Sequence, residues 1–185
     1  MHEVRIVGLV TIKQGRKVVV RNVRNHFVDA GLKGILSTMI FKEVYAPSYY
    51  DRYHWYLWAN SWKIDLGSDT STPTTPTMSN LVSPLGVAPS SKTISTKDGS
   101  GDGIWEATYI ATWDAGTVSG TVGELGLFMR APDKTTFQWR VEGGDYTPPV
   151  VMVSRLSSAD GDFTEFTIDE TKPLTVDWKV RFSFV

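Results

Sequence analysis

Glu124 is the first residue to test for acid-base chemistry. It stands between Gly123 and Leu125 in residues 116–130, where Gly116, Gly120, Gly123 and Gly126 interrupt an otherwise apolar strand. Glycine inside a strand pattern marks a bulge, a bend or a close backbone approach. A carboxylate there is either an acid-base group or an acceptor for backbone N–H groups that a bulge frees. Buried polar groups usually satisfy such donors, and no acid-base partner is evident nearby. The expected role of Glu124, with Gly120, Gly123 and Gly126, is therefore structural. Any two of Glu106, Asp114, Glu124 and Glu142 could converge as a glycoside-cleaving pair, but nothing in their spacing selects one.

Other catalytic and metal-binding patterns fare worse. The histidines, His2, His26 and His54, are far apart and lack the spacing of a zinc motif, so no metal or cofactor is expected. The run Asp98-Gly99-Ser100-Gly101-Asp102-Gly103, with Glu106 beyond it, has the spacing of half a calcium loop. Tyr109 stands where the bidentate acid belongs and no second helix follows, so a hairpin turn is the better reading. There is no Gly-x-Ser-x-Gly elbow, no cysteine nucleophile and no phosphate loop. The chain reads as a non-enzyme.

Residues 45–62 hold Tyr45, Tyr49, Tyr50, Tyr53, Trp55, Tyr56, Trp58 and Trp62. Aromatic density of this kind suits stacking on sugars or bases. However, Tyr53, Trp55 and Leu57 alternate with His54, Tyr56 and Trp58, as in a strand covered on both faces. A flat sugar platform would need rings that such a strand points in opposite directions. Tyr53, Trp55 and Trp58 are accordingly candidates for packing or protein contact. A carbohydrate-binding module built on residues 49–62, with a host-surface glycan as ligand, is the alternative.

Composition narrows the partners. The 185 residues suit one domain with a real core, and 41% hydrophobic and 21% charged residues are an ordinary globular balance. A net charge of -1 argues against a dedicated nucleic-acid binder. The first thirty residues nevertheless carry Arg5, Lys13, Arg16, Lys17, Arg21 and Arg24 against Glu3 and Asp29. Arg16, Lys17 and Arg21 are candidate contacts to an acidic protein partner, the other reading being a solvated strand face. Without cysteine, stability must come from packing or assembly. No apolar run approaches the ~20 residues of a membrane span, and the first ten residues lack the apolar core of a signal peptide. Synthesis in the cytoplasm is expected.

The elements that would position these groups are mostly strands. A hairpin is expected over residues 1–24, turning at Lys13-Gln14-Gly15-Arg16. Phe27, Val28, Leu32, Ile35, Leu36, Met39 and Ile40 recur at helical spacing, which predicts a helix over 26–41 capped by Asn25. Gly31 and Gly34 within it fit a helix lying tight against a sheet. A Thr/Ser/Pro surface loop is expected over 66–80. Alternation predicts strands over 92–97, 104–113, 136–141, 150–156, 163–168 and 174–184, with a turn at Asp160-Gly161-Asp162. The expected fold is mainly β: a single antiparallel β-sandwich or jelly-roll-like domain over 1–185, with one N-terminal α-helix. A strand reaching the end of the chain needs neighbours on both sides. Together with the aromatic density, this suggests a homo-oligomer.

A set of short motifs points further. The order runs Asn22-Val23-Arg24-Asn25, Asp29-Ala30-Gly31-Leu32, Leu66-Gly67-Ser68, Thr72-Pro73-Thr74, Leu81 and Trp105-Glu106-Ala107. It continues through Gly123-Glu124-Leu125-Gly126-Leu127-Phe128 and Ser154-Arg155-Leu156 to Leu174-Thr175-Val176-Asp177-Trp178. This order resembles the small virion structural proteins of tailed bacteriophages, of the tail, tail-fibre or head-decoration type. The resemblance implies a non-enzymatic component of the virion, assembled in the host cytoplasm and binding other virion proteins on the tail or the capsid.

Overall fold

The computed structural model describes residues 4–29, 31, 32, 62–97, 99, 101–130 and 150–184. In chain order the strands are β1 (Val4–Gln14), β2 (Lys17–Arg24), β3 (His26–Phe27), β4 (Trp62–Gly67), β5 (Ser91–Lys97) and β6 (Ile104–Trp113). They continue with β7 (Thr121–Val122), β8 (Glu124–Arg130), β9 (Val150–Ser157), β10 (Phe166–Thr167) and β11 (Leu174–Phe184). A short 3-10 turn, Ser158–Asp160, follows β9. The chain is mainly β, and every strand pair among the described residues is antiparallel.

The strands form a five-stranded sheet, β2-β1-β11-β6-β5, a four-stranded sheet, β3-β9-β8-β4, and the small pair β10-β7. The two large sheets share one core. Val10, Ile12, Tyr109, Ala111, Trp113, Leu174, Val176 and Trp178 from the first sheet cluster with Ile64, Leu66, Leu125, Leu127, Met129 and Leu156 from the second. Period-two alternation does this directly. In β11, Leu174, Val176, Trp178 and Val180 are buried in that core. The intervening Asp177, Lys179 and Arg181 pair across the opposite face with Lys13 (2.8 Å) and Glu106 (3.1 and 2.7 Å). The terminal strand lies between β1 and β6, so its edges are covered from within the chain.

The expected N-terminal helix is corrected at its start. His26 and Phe27 form β3, opposite Arg155 and Ser154 of β9. Helical conformation begins only around Asp29, Gly31 and Leu32, with Leu32 N–H donating to Val28 O at 3.0 Å. Residues 33–41 lie outside the described residues. The physical reason is Asn25. Instead of capping a helix, its amide lies between the sheets, where its oxygen accepts from Trp178 Nε1 (2.6 Å) and Ser154 Oγ (2.8 Å) while its nitrogen donates to Gly8 O (3.2 Å). Gly8 permits this, because a Cβ there would fall 1.8 Å from the end of the Asn25 amide that faces it. Gly31 is set against β9 just as closely, with a Cβ position 2.1 Å from Val153 O.

Candidate functional site

Along β8, Leu125, Leu127 and Met129 enter the shared core, so Glu124, Gly126 and Phe128 face the other side of the sheet. Arg155 of β9 stands opposite Gly126 and therefore belongs to that outer face too. Neither Glu124 nor Arg155 is exposed to solvent, since residues 68–85 fold back over them. This back layer is the expected Thr/Ser/Pro loop, and it has no ladder to hold it beyond a bridge between Gly67 and Pro84.

Arg155 carries the layer. A guanidinium has five N–H donors, and each finds an acceptor. Nε and Nη2 donate to Glu124 Oε2 (3.0 and 2.8 Å), Nη2 also to Asp69 Oδ2 (3.3 Å), and Nη1 to Thr72 O (2.8 Å) and Thr74 Oγ1 (3.2 Å). Glu124 is equally occupied, accepting from Ser83 N–H at Oε1 (2.7 Å) and Val82 N–H at Oε2 (3.2 Å). Burial opposes ionisation of Asp69, but hydrogen bonds from the Thr72 N–H and from Ser71 outweigh it and hold the carboxyl below its ordinary range.

Glycine makes room for these groups. A Cβ at Gly67 would lie 2.6 Å from Glu124 Oε1, and one at Gly123 would lie 2.4 Å from Asp69 O. At Gly126 it would meet the Phe128 ring at 2.6 Å, in a second apolar cluster of Val28, Leu81, Phe128 and Met152. Gly120 has a φ of 104° and accepts from Ile168 N–H through its carbonyl. A carboxylate with its lone pairs committed and no solvent access holds backbone in place.

The remaining sequence candidates lie elsewhere. Arg16 sits in the β1–β2 turn and Lys17 and Arg21 on β2, all exposed along an edge of the five-stranded sheet. Tyr53, Trp55 and Trp58 lie outside the described residues. Trp62, from the same aromatic segment, is 3% exposed, edge-on to Tyr109 at 5.2 Å. Glu106 belongs to the five-stranded sheet, on the opposite sheet from Glu124, and is tied to Lys179 and Arg181. Asp114 is exposed after β6, and Glu142 lies outside the described residues. In the β5–β6 hairpin Asp102 pairs with Lys97 and accepts from Ile104 N–H at 3.1 Å.

No family model and no solved structure matches the chain. The uncharacterised protein ORF274 of Acidianus filamentous virus 1 is similar to it, with 33% identity over 118 residues, covering 60% of this chain and 43% of that protein. The chain thus spans less than half the length of this relative. Among the described residues no helix is long and apolar enough to cross a membrane.

Arg155 is the residue that sequence reasoning missed. Its signal was an arginine inside the strand Val-Val-Met-Val-Ser-Arg-Leu, where an uncompensated charge would be untenable and a buried acid is therefore required.

Proposed function

We propose that this chain is a non-enzymatic structural component of a virus particle, a two-layer, jelly-roll-like β scaffold that binds other virion proteins. The observation that carries this reading is the similarity to a protein of a filamentous virus. The chemistry of the molecule supports it: the buried Arg155–Glu124 pair is spent on holding a loop to a sheet. The basic outer strand, with Lys17, Arg21 and Arg24 exposed, has an edge unpaired among the described residues and offers it to an acidic strand or loop of a neighbour. Kinship to tailed-phage tail or decoration proteins, and self-association through the aromatic segment, belong to the same proposal.

Purified particles of the parent virus provide the test. Mass spectrometry and electron microscopy should find the chain at a fixed stoichiometry, and Arg21→Glu with Lys17→Glu should reduce incorporation while leaving the melting temperature unchanged. Absence from particles, or a hydrolytic activity on surface glycans that requires Glu124, would overturn it.

A further inference from the structure

A second cluster of side chains lies where β3 meets the turn after β9. His26 Nε2 is 3.2 Å from Asp162 Oδ1 and 4.0 Å from Asp160 Oδ2, and the three ligand atoms all lie within 4.8 Å of one another. We propose that His26, Asp160 and Asp162 bind one divalent cation of the zinc class, which staples the two-residue edge strand β3 to the turn that follows β9.

Charge supplies the first reason. The side chains of Asp160 and Asp162 are 11% and 12% exposed, and neither is ion-paired with a lysine or arginine among the described residues. Two nearly buried carboxylates so close together repel, and their only ionisable partner among the described residues is an imidazole, which carries charge only when protonated. A divalent cation would balance the pair.

Geometry supplies the second. Zinc bonds of about 2.0–2.2 Å in a tetrahedral arrangement set neighbouring ligand atoms roughly 3.4 Å apart, which the cluster reaches by closing around the ion by about an ångström. Both carboxylates are steadied by further hydrogen bonds. Thr74 donates to Asp160 through N–H (2.9 Å) and Oγ1 (2.5 Å), and Ser157 N–H donates to Asp162 Oδ2 (3.2 Å). Such outer hydrogen bonds orient ligands toward a metal. The αL residue Gly161, with a φ of 76°, turns the chain so that the aspartates on either side of it face one point. One imidazole and two carboxylates suit zinc better than magnesium or calcium, which favour oxygen-only sets. His26, 52% exposed, leaves the fourth position open to water.

The cluster was invisible to motif spacing because His26 and Asp160 meet only through the β3–β9 pairing. Thr74 also accepts from Arg155, so the ion would tie the outer edge of the sheet to the buried network. This inference does not depend on the virion reading.

The 185-residue protein stripped with EDTA is titrated with ZnCl2, and with MgCl2 as control, by calorimetry and thermal melting. Wild type should bind one zinc ion through this site and melt at higher temperature with zinc. His26→Ala and Asp162→Asn should weaken binding at least ten-fold and lose the thermal shift. His2 and His54 remain in both variants, so binding that survives undiminished in His26→Ala overturns the proposal. Should a variant fail to fold, nitrogen-15 NMR of the wild-type histidine rings decides: zinc must move the Nε2 signal of His26, and an unmoved signal overturns the site.

Discussion

Removing Glu124 should destabilise the molecule far more than an ordinary hydrogen bond would. In Glu124→Ala the fully buried Arg155 keeps only Asp69, at 3.3 Å, as an acidic partner. At the same time the Val82 and Ser83 N–H groups lose their acceptor. Breaking one side of a buried ion pair costs about 3–5 kcal/mol. Each buried donor left unpaired accounts for about 1–3 kcal/mol, and the two losses overlap because they arise in one network. Against a total stability of about 5–15 kcal/mol, the expected loss is a large share. For a chain of this size it corresponds to a fall of roughly 6–20 °C in melting temperature.

Two companion variants separate charge from shape. Glu124→Gln retains an acceptor for Ser83 and should lose less. Arg155→Met combined with Glu124→Gln removes both buried charges, and it should be more stable than Glu124→Ala, which leaves the buried guanidinium charge without its nearer partner. Thermal and urea denaturation followed by circular dichroism provide the measurement. A Glu124→Ala protein melting within about 2 °C of wild type, or a double variant weaker than the sum of its singles, would refute the reasoning.

Three further outcomes can be checked on the same preparations. Gly123→Ala, whose methyl would sit 2.4 Å from Asp69 O, should lose about 1–3 kcal/mol, whereas Gly116→Ala, with a φ of 77° and open space, should lose about 1 kcal/mol; urea titration ranks them. Burial of Glu106 opposes its ionisation, but hydrogen bonds from Arg181 and Lys179 hold its carboxyl below the ordinary 4.5. Its contribution is therefore present above about pH 4.5 and is lost as pH falls through the lower folded value, so Glu106→Gln should flatten the acid limb of the stability profile. Burial pushes the Tyr109 phenol above its ordinary 10.0. Its contribution is present below pH 10 and is lost as pH rises beyond it, so Tyr109→Phe should slow alkaline unfolding measured by tyrosinate absorbance.

Strands were legible wherever alternation was clean. The runs ending in Trp113 and starting at Leu174 alternate apolar with polar residues, and both form the strands that this pattern predicts. The start of the helix was misread. Asn25 is a good cap by type, and sequence alone does not reveal that Trp178, some 150 residues later, supplies its amide with a donor. The pairing of Glu124 with Arg155 was hidden for the same reason. Glycine spacing points to a bulge at Glu124, but Glu124 pairs in regular register with Gly67 and Ser157, the register shift falls between Leu127 and Phe128, and the charged partner arrives from the neighbouring strand.

The back layer shows why so polar a pair is placed in so apolar a strand. Residues 68–85 are rich in Ser, Thr and Pro, bury little besides Leu81 and, in part, Met78 and Leu85, and have few ladder bonds. Ordering such a segment costs roughly 1–2 kcal/mol per residue in backbone entropy. Hydrophobic residues facing it from β8 and β9 would find few apolar groups to touch. Arg155 and Glu124 instead offer the loop what its composition demands: an acidic acceptor for the N–H groups of Val82 and Ser83, and a forked donor for Thr72 O, Thr74 and Asp69. Each bond runs to a charged group and is stronger than its neutral counterpart. The same loop covers the outer edge of β4, where Leu85 N–H donates to Leu66 O at 2.8 Å. One edge of the four-stranded sheet is thus covered at its end, while β2 at the edge of the five-stranded sheet keeps its outer N–H and C=O groups and its exposed arginines free of ladder partners among the described residues. If neighbours in a particle bind by adding a strand, β2 is where they should add it. Proline at Val19 or Val23 should therefore impair assembly before it impairs folding only where the N–H it removes points away from β1.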